Sequence, residues 1–276
     1  MLCAKIRFMA FSFSFLIAFF AHTSNFYEQW RSQKFEEICQ KHEINMFFAN
    51  KLQMLEGFKI VLVCDDSGSM SSKVKSGSDL ETTPQGTRWD ELKGTVEVII
   101  DIASVLGQEG VDIYFLNRNG LTNVSVREQI DPFFAQKPSG YTPIAPRLEN
   151  IFAQKVDGKR LVILATDGEP TDTYGNRDIA GFKNVLLYKR GLKDYVNIVA
   201  CTDDDNTMSY LNNWDRNIPR LDVIDGYESE KKEIRYAQGS NFRFSKGDYV
   251  VKCMIGSVDP YFDKLDEADA CHCILF

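Results

Sequence analysis

The sequence has few of the residues that build most metal and redox chemistry. Only three histidines occur in 276 residues, His22, His42 and His272, and they lie far apart. That argues against a histidine-based zinc centre. The seven cysteines (Cys3, Cys39, Cys64, Cys201, Cys253, Cys271, Cys273) are odd in number and follow no spacing framework. In a chain of this length they read as reduced thiols, several of them simple apolar core residues. The phosphate-loop pattern G-x-x-x-x-G-K-[ST], the hydrolase pattern G-x-S-x-G and the metalloprotease pattern H-E-x-x-H are all missing. Basic excess is missing too: the net charge is −7 and the pI about 5.1, so nucleic acid is not the expected partner. No internal repeat occurs, and the one low-complexity stretch is the polar run 71–87.

What remains is globular in character. At 44% hydrophobic and 26% charged residues, the chain has ample material for a core. Its length suits one large domain with extensions or two small ones. The N-terminal residues 1–23 place Lys5 and Arg7 before an apolar stretch of signal-peptide length, short for a membrane span. A signal peptide or membrane anchor is expected there. The C-terminal Cys273-Ile274-Leu275-Phe276 fits the C-a-a-X prenylation pattern, and Cys271 is a candidate for a second acyl chain. Prenylation is cytosolic and a cleaved signal exports the chain, so the two ends imply opposite sides of a membrane; association with one is common to both. Asn123-Val124-Ser125 is a glycosylation sequon.

Residues 24–55 carry apolar groups at helical spacing and read as a helical extension; 56–262 read as the main domain and 263–276 as a tail. Within the domain, strands and helices alternate. "KIVLVC" (59–64), "VDIYFLN" (111–117), "KRLVILAT" (159–166), "VNIVACT" (196–202) and "RLDVIDG" (220–226) are apolar runs of strand length. Between and after them, 87–110, 143–156, 176–190, 206–217, 229–238 and 245–256 read as helices, with Ser245 as a cap and Gly256 as a stop. The stretch 124–129 reads as a short edge strand or a helix start. This alternation implies an α/β fold: a Rossmann-like, doubly wound, mainly parallel central sheet with helices on both faces. Ligands of such sheets bind beyond the carboxyl ends of the strands.

Two such ends carry acid. "KIVLVCDDSGSMSS" (59–72) breaks from an apolar run into two aspartates, and "LVILATDGEPTD" places Asp167 after another. Two readings of the first stretch compete. Asp66-Ser67-Gly68 matches the D-S-G of an aspartic protease, which would make the chain a hydrolase. That chemistry needs two such aspartates sharing a proton; no second D-[ST]-G occurs, and strand–helix alternation opposes an all-β protease. The other reading takes Asp65, Ser67 and Ser69 as D-x-S-x-S, whose alternate side chains converge from a loop. Asp167 adds a carboxylate, and Thr142 in "SGYTPIAP" adds a hydroxyl. Ser and Asp after a strand also serve as caps and turns, and Asp172 and Asp203–Asp205 are read that way. The five-residue set is all oxygen and low in charge, which suits Mg²⁺, with Mn²⁺ or Ca²⁺ as alternatives. It is too poor in carboxylates to saturate an ion, so an acidic side chain from a partner is expected to complete it.

In residue type, order and strand context, these three pieces resemble a von Willebrand factor type A (VWA) domain with a metal-ion-dependent adhesion site. The likeness covers roughly 56–226. It implies that Ser67, Ser69 and Thr142 ligate the ion, with Asp65 and Asp167 direct or through water, and that Asp66 points elsewhere. It also implies that Gly68 and Gly168 allow tight turns. The function implied is a non-catalytic, metal-dependent protein-binding module, either a membrane-attached cytosolic scaffold or a secreted or surface adhesion protein. No flanking cysteine pair is evident, which weakens the extracellular-matrix alternative.

Overall fold

The computed structural model describes residues 31–74, 86–106, 110–202, 208–211 and 214–267. The segment 1–23, the lipidation candidates Cys271 and Cys273, most of the polar run 71–87 and Asp203–Asp205 lie outside them.

Five parallel strands and one antiparallel strand form a single sheet. They are β1 (Phe58–Cys64), β2 (Val111–Phe115), β3 (Leu121–Val124), β4 (Lys159–Thr166), β5 (Asp194–Ala200) and β6 (Leu221–Ile224). Their order is β3-β2-β1-β4-β5-β6. The chain therefore works outward from β1 to one edge, then returns to β4 and works outward to the other. β1 and β4 pair in parallel from Phe58↔Lys159 to Cys64↔Ala165. The break in strand order falls between them, where the loops after the two strands diverge and leave a crevice.

The continuous apolar runs exist because both faces of the sheet are covered. Ile60, Leu62 and Cys64 belong to one core, Val61 and Val63 to the other. Helices α3 (Arg88–Val105) and α9 (Lys246–Ile255) pack on the first face through residues such as Ile99, Ile100, Val250 and Met254. Helices α5 (Ile144–Ala153) and α6 (Ile179–Asn184) cover the second through Leu148, Ile151, Phe182 and others. The short helices α4 (Asp131–Phe134), α7 (Trp214–Asn217) and α10 (Pro260–Asp263) and the longer α8 (Tyr227–Gln238) fill the margins. No helix among the described residues is long and apolar enough to cross a membrane.

Several boundaries differ from those read in the sequence, each for a local reason. The edge element is β3 at 121–124, antiparallel to β2, with a 3₁₀ turn at Arg127–Gln129 in place of a strand or helix over 124–129. The connection 116–120 is too short for a crossover and allows only a hairpin. Pro143 is the residue before α5 rather than part of its first turn. The helix over 176–190 begins only at Ile179 and loosens into a π turn at Val185–Lys189. Ser245 does cap α9, its hydroxyl accepting from the Asp248 amide at 2.9 Å, and Gly256 follows the last turn.

Residues 31–55, expected as an extension, enter the main core. After the helical stretch 31–41, called α1, helix α2 (Met46–Lys51) and the 3₁₀ turn Leu52–Leu55 bury Phe48, Leu52 and Leu55 against the α9 side. The Asn45 amide donates to Asp248 Oδ1 at 2.7 Å, and Ser245 Oγ donates to the Glu43 carbonyl at 2.8 Å. At the other end, Leu265 is buried and Asp266 pairs with the buried Lys252 at 3.1 Å, so the start of the expected tail is also packed.

Candidate functional site

The end of β1 sets two carboxylates side by side, and their surroundings separate them. Both Asp65 and Asp66 are fully buried. Asp66 Oδ1 accepts from the Asn117 amide at 2.8 Å and from Asn117 Nδ2 at 3.1 Å, while Oδ2 accepts from Arg118 Nε at 2.6 Å. It faces the loop after β2.

Asp65 faces the crevice between β1 and β4. Its Oδ1 accepts from the Ser67 amide at 2.8 Å, and its Oδ2 from Thr166 Oγ1 at 2.6 Å. Both donors are neutral. Burial pushes its carboxyl up to about 6, against the opposing pull of the Thr166 and Ser67 hydrogen bonds, and the nearby Asp167 adds to the rise.

From there a chain of oxygens crosses the crevice. Ser67 Oγ lies 3.0 Å from Ser69 Oγ, and Ser69 Oγ donates to Asp167 Oδ1 at 2.6 Å. Ser69 is carried by a 3₁₀ turn, Gly68–Ser71. A Cβ on Gly168 would stand 4.0 Å from Ser69 Oγ, which places the two loops in close register. Gly68 and Gly168, expected as tight-turn residues, both keep negative φ; a 3₁₀ turn needs no left-handed residue. The glycine that the site requires is Gly140, at φ 106, where a Cβ would meet Asn117 Oδ1 at 2.6 Å.

Thr142 arrives from a third loop and stands outside the Ser67–Ser69–Asp167 chain. Its loop is tied in on both sides. The Gly68 amide donates to the Gly140 carbonyl at 3.2 Å, and the Ser139 amide to the Asp66 carbonyl at 2.7 Å. Thr142 N donates to Thr171 Oγ1 at 3.0 Å, and Thr171 N returns a bond to the Thr142 carbonyl at 2.9 Å. Of the five residues read from the sequence, Asp65, Ser67, Ser69 and Asp167 are joined by side-chain hydrogen bonds and short contacts at the ends of β1 and β4, and Thr142 is tied to the same loops through its backbone. Asp172, read as a turn residue, accepts from the Tyr174 and Asn176 amides in a surface loop.

Thr166, Gly140 and one charged member of the site were not read from the sequence. Arg88, the first residue of α3, donates from Nη1 to Asp167 Oδ2 at 2.7 Å and from Nη2 to Thr202 Oγ1 at 2.8 Å. The only signal for it was its place at a capped helix start. Around the rim, Tyr141 and Tyr174 are exposed, 55% and 83%. The thiols behind it, Cys64 and Cys201, are free, and burial pushes both up, reinforced by the nearby aspartates. Cys64 is a core residue, Cys201 packs against that core, and both are poor nucleophiles.

The donor set is two carboxylates and three hydroxyls, hard oxygens that fit Mg²⁺ or Ca²⁺ and do not fit a soft metal. Among the described residues, no group of three or more His, Cys, Asp or Glu gathers to hold an ion. Any ion here must therefore lean on hydroxyls and on ligands from outside.

No protein-family model matches the chain, nor does any curated protein. Among solved structures it is similar to the PilB minor pilin from Streptococcus sanguinis. An aspartate-to-alanine mutant of that pilin aligns with a TM-score of 0.48 and 13% identity over 76% of this chain and 62% of the pilin chain. The unsubstituted PilB minor pilin aligns with a TM-score of 0.44 and 14% identity over 75% of this chain and 62% of the pilin chain. The chain thus spans less than two thirds of the length of the pilin chains it matches.

Proposed function

We propose that this chain is a non-catalytic protein-binding module of the Rossmann-like VWA type, which engages an acidic residue of a partner through a Mg²⁺-class ion. The observation that carries the reading is the convergence of Asp65, Ser67, Ser69 and Asp167 in the crevice between β1 and β4, where the strand order breaks. Thr142 is held beside them by its ties to Thr171. When bound, the ion supplies a Lewis-acidic point for a carboxylate. The protein's part is to hold oxygens at fixed positions on rigid strand ends. Asp65 carries a raised carboxyl with no cation among its hydrogen-bond partners, a state that a divalent ion relieves. Asp66, the residue an aspartic protease would use, has its carboxylate taken up by Asn117 and Arg118.

The exposed Tyr141 and Tyr174 supply a rigid aromatic surface next to the ion position, suited to a protein partner. Attachment to a membrane through residues 1–23 or through Cys271 and Cys273 belongs to the same proposal. Titration calorimetry of Mg²⁺ into wild type and into Asp65→Ala tests the site. Saturable binding in the first and none in the second is the expected result; equal affinity in both sinks the reading.

A further inference from the structure

Arg88 is placed with more care than a surface arginine needs. Its backbone opens α3 behind a capping box, with Thr87 Oγ1 accepting from the Asp90 amide at 3.2 Å and Asp90 Oδ2 accepting from the Thr87 amide at 2.8 Å. The Arg88 amide also donates to the Ser72 carbonyl at 2.9 Å, tying the helix start to the turn that carries Ser69. From this fixed base the guanidinium spans from the loop after β4 to the end of β5. Its side chain is 20% exposed, while Asp167 is fully buried. Asp167 therefore has both oxygens engaged, Oδ1 by Ser69 and Oδ2 by Arg88. Asp65 receives only neutral donors.

This asymmetry has an electrostatic consequence for an ion at the rim. Two carboxylates alone would neutralise a divalent cation and leave no charge to attract anything further. With Arg88 in place, the ion and the described groups that share these hydrogen bonds set three positive charges against two negative ones, a net charge of +1 among them. Resting on the ion-dependent reading above, we propose that Arg88 is a specificity-determining, tethered cation of this site. It satisfies Asp167 while the ion is away, weakens the hold on the ion itself, and obliges the loaded site to take one external anion, a partner's carboxylate. A purely structural arginine would stabilise the loop after β4 and leave ion affinity alone.

The test is Mg²⁺ affinity by calorimetry, with thermal melts with and without Mg²⁺, for wild type, Arg88→Gln and Arg88→Lys. Loss of a unit charge beside a divalent ion in partly buried surroundings tightens Mg²⁺ binding by about tenfold or more in Arg88→Gln. Arg88→Lys keeps the charge and stays within about threefold of wild type. The rise in melting temperature on adding Mg²⁺ is larger in Arg88→Gln than in wild type, because the ion then replaces the missing partner of Asp167. Unchanged or weaker Mg²⁺ binding in Arg88→Gln overturns the proposal. So does a lowered melting temperature that Mg²⁺ does not restore. Should Arg88→Gln not fold, Thr202→Val removes the guanidinium's second anchor, and a smaller tightening in the same direction is expected. No change in Thr202→Val then overturns the proposal. Wild type that binds Mg²⁺ while the variants match it defeats only the role of Arg88; absence of binding in every protein defeats the ion reading as well.

Discussion

Asp65 and Asp66 are neighbours in sequence, equally buried, and opposite in kind. Asp66 has its own cation, Arg118, and the backbone of the loop after β2. Asp65 has hydroxyl and amide dipoles and a carboxyl pushed up to about 6 by burial. One is a fastening that closes on itself. The other is left without a cation among its hydrogen-bond partners. The difference shows how a single strand end can be both anchored and receptive: consecutive residues point to opposite sides, so each meets a different set of partners. A buried carboxylate alone says little; which charges face it decides what it is for.

The strongest way to break this contrast is to take away the cation that Asp66 owns. Arg118→Met keeps most of the volume and leaves a buried carboxylate unpaired, which costs about 3–5 kcal/mol. Urea unfolding should show that loss equally with and without Mg²⁺; rescue by Mg²⁺ would mean that Asp66, too, serves the ion.

The next largest effect concerns Asp65 in ion-free protein. Its folded-state value is raised, so its contribution to stability is fullest below the ordinary carboxyl range and is lost as pH rises through about 6. The loss between pH 4 and pH 7.5 is on the order of 3 kcal/mol. Asp65→Asn should flatten that slope in chemical denaturation measured in chelator. A slope unchanged by the substitution would assign the effect to another group.

Mg²⁺ sharpens the same comparison. At about ten times its dissociation constant, an ion stabilises by about 1.4 kcal/mol, or about 3–6 °C for a domain of this size. This shift should be present at pH 7.5, shrink at pH 5 where Asp65 is protonated, and vanish in Asp167→Asn. Survival of the full shift in Asp167→Asn would place the ion elsewhere.

The smallest effect lies far from the rim. Asp101 is half-buried; against the upward push of burial, hydrogen bonds from Arg127, His42 and Lys41 hold its carboxyl at about 2. A lowered value gives stability that is present above the ordinary carboxyl range and lost as pH falls through about 2. Asp101→Asn should lower stability near neutrality and flatten the acid limb, with the difference from wild type disappearing as pH falls toward about 2; equal stability of the two proteins near neutrality refutes the assignment.

The sequence carried the strands well because β1, β4 and β5 are buried on both faces and are therefore dominated by apolar residues, β5 being interrupted only by the buried Asn197 after its first residues. Asp65, Ser67, Ser69 and Asp167 could be singled out because each sits at a fixed step from such a run, whereas Thr142 precedes α5 and was picked from its own loop. Arg88 was not. Its partner lies 79 residues away, and an arginine in the first turn of a helix reads as ordinary solvated surface. The ties of Asp66 to Asn117 and Arg118 were hidden for the same reason, since they depend on β2 lying beside β1. The start of the packed domain was also obscured: helical spacing in residues 31–55 shows an apolar face but not what covers it. A π turn at Val185–Lys189 leaves no distinct mark in composition at all.

The latch between the segment around Asn45 and the start of α9 sets an order of events during synthesis. Asn45 and Asp248 are 203 residues apart. At a translation rate of about 5–20 residues per second, about 10–40 seconds separate their appearance. Throughout that interval Phe48, Leu52 and Leu55 have no α9 to cover them. The strands β1 and β4 are therefore both synthesised before the helix that closes the core behind them.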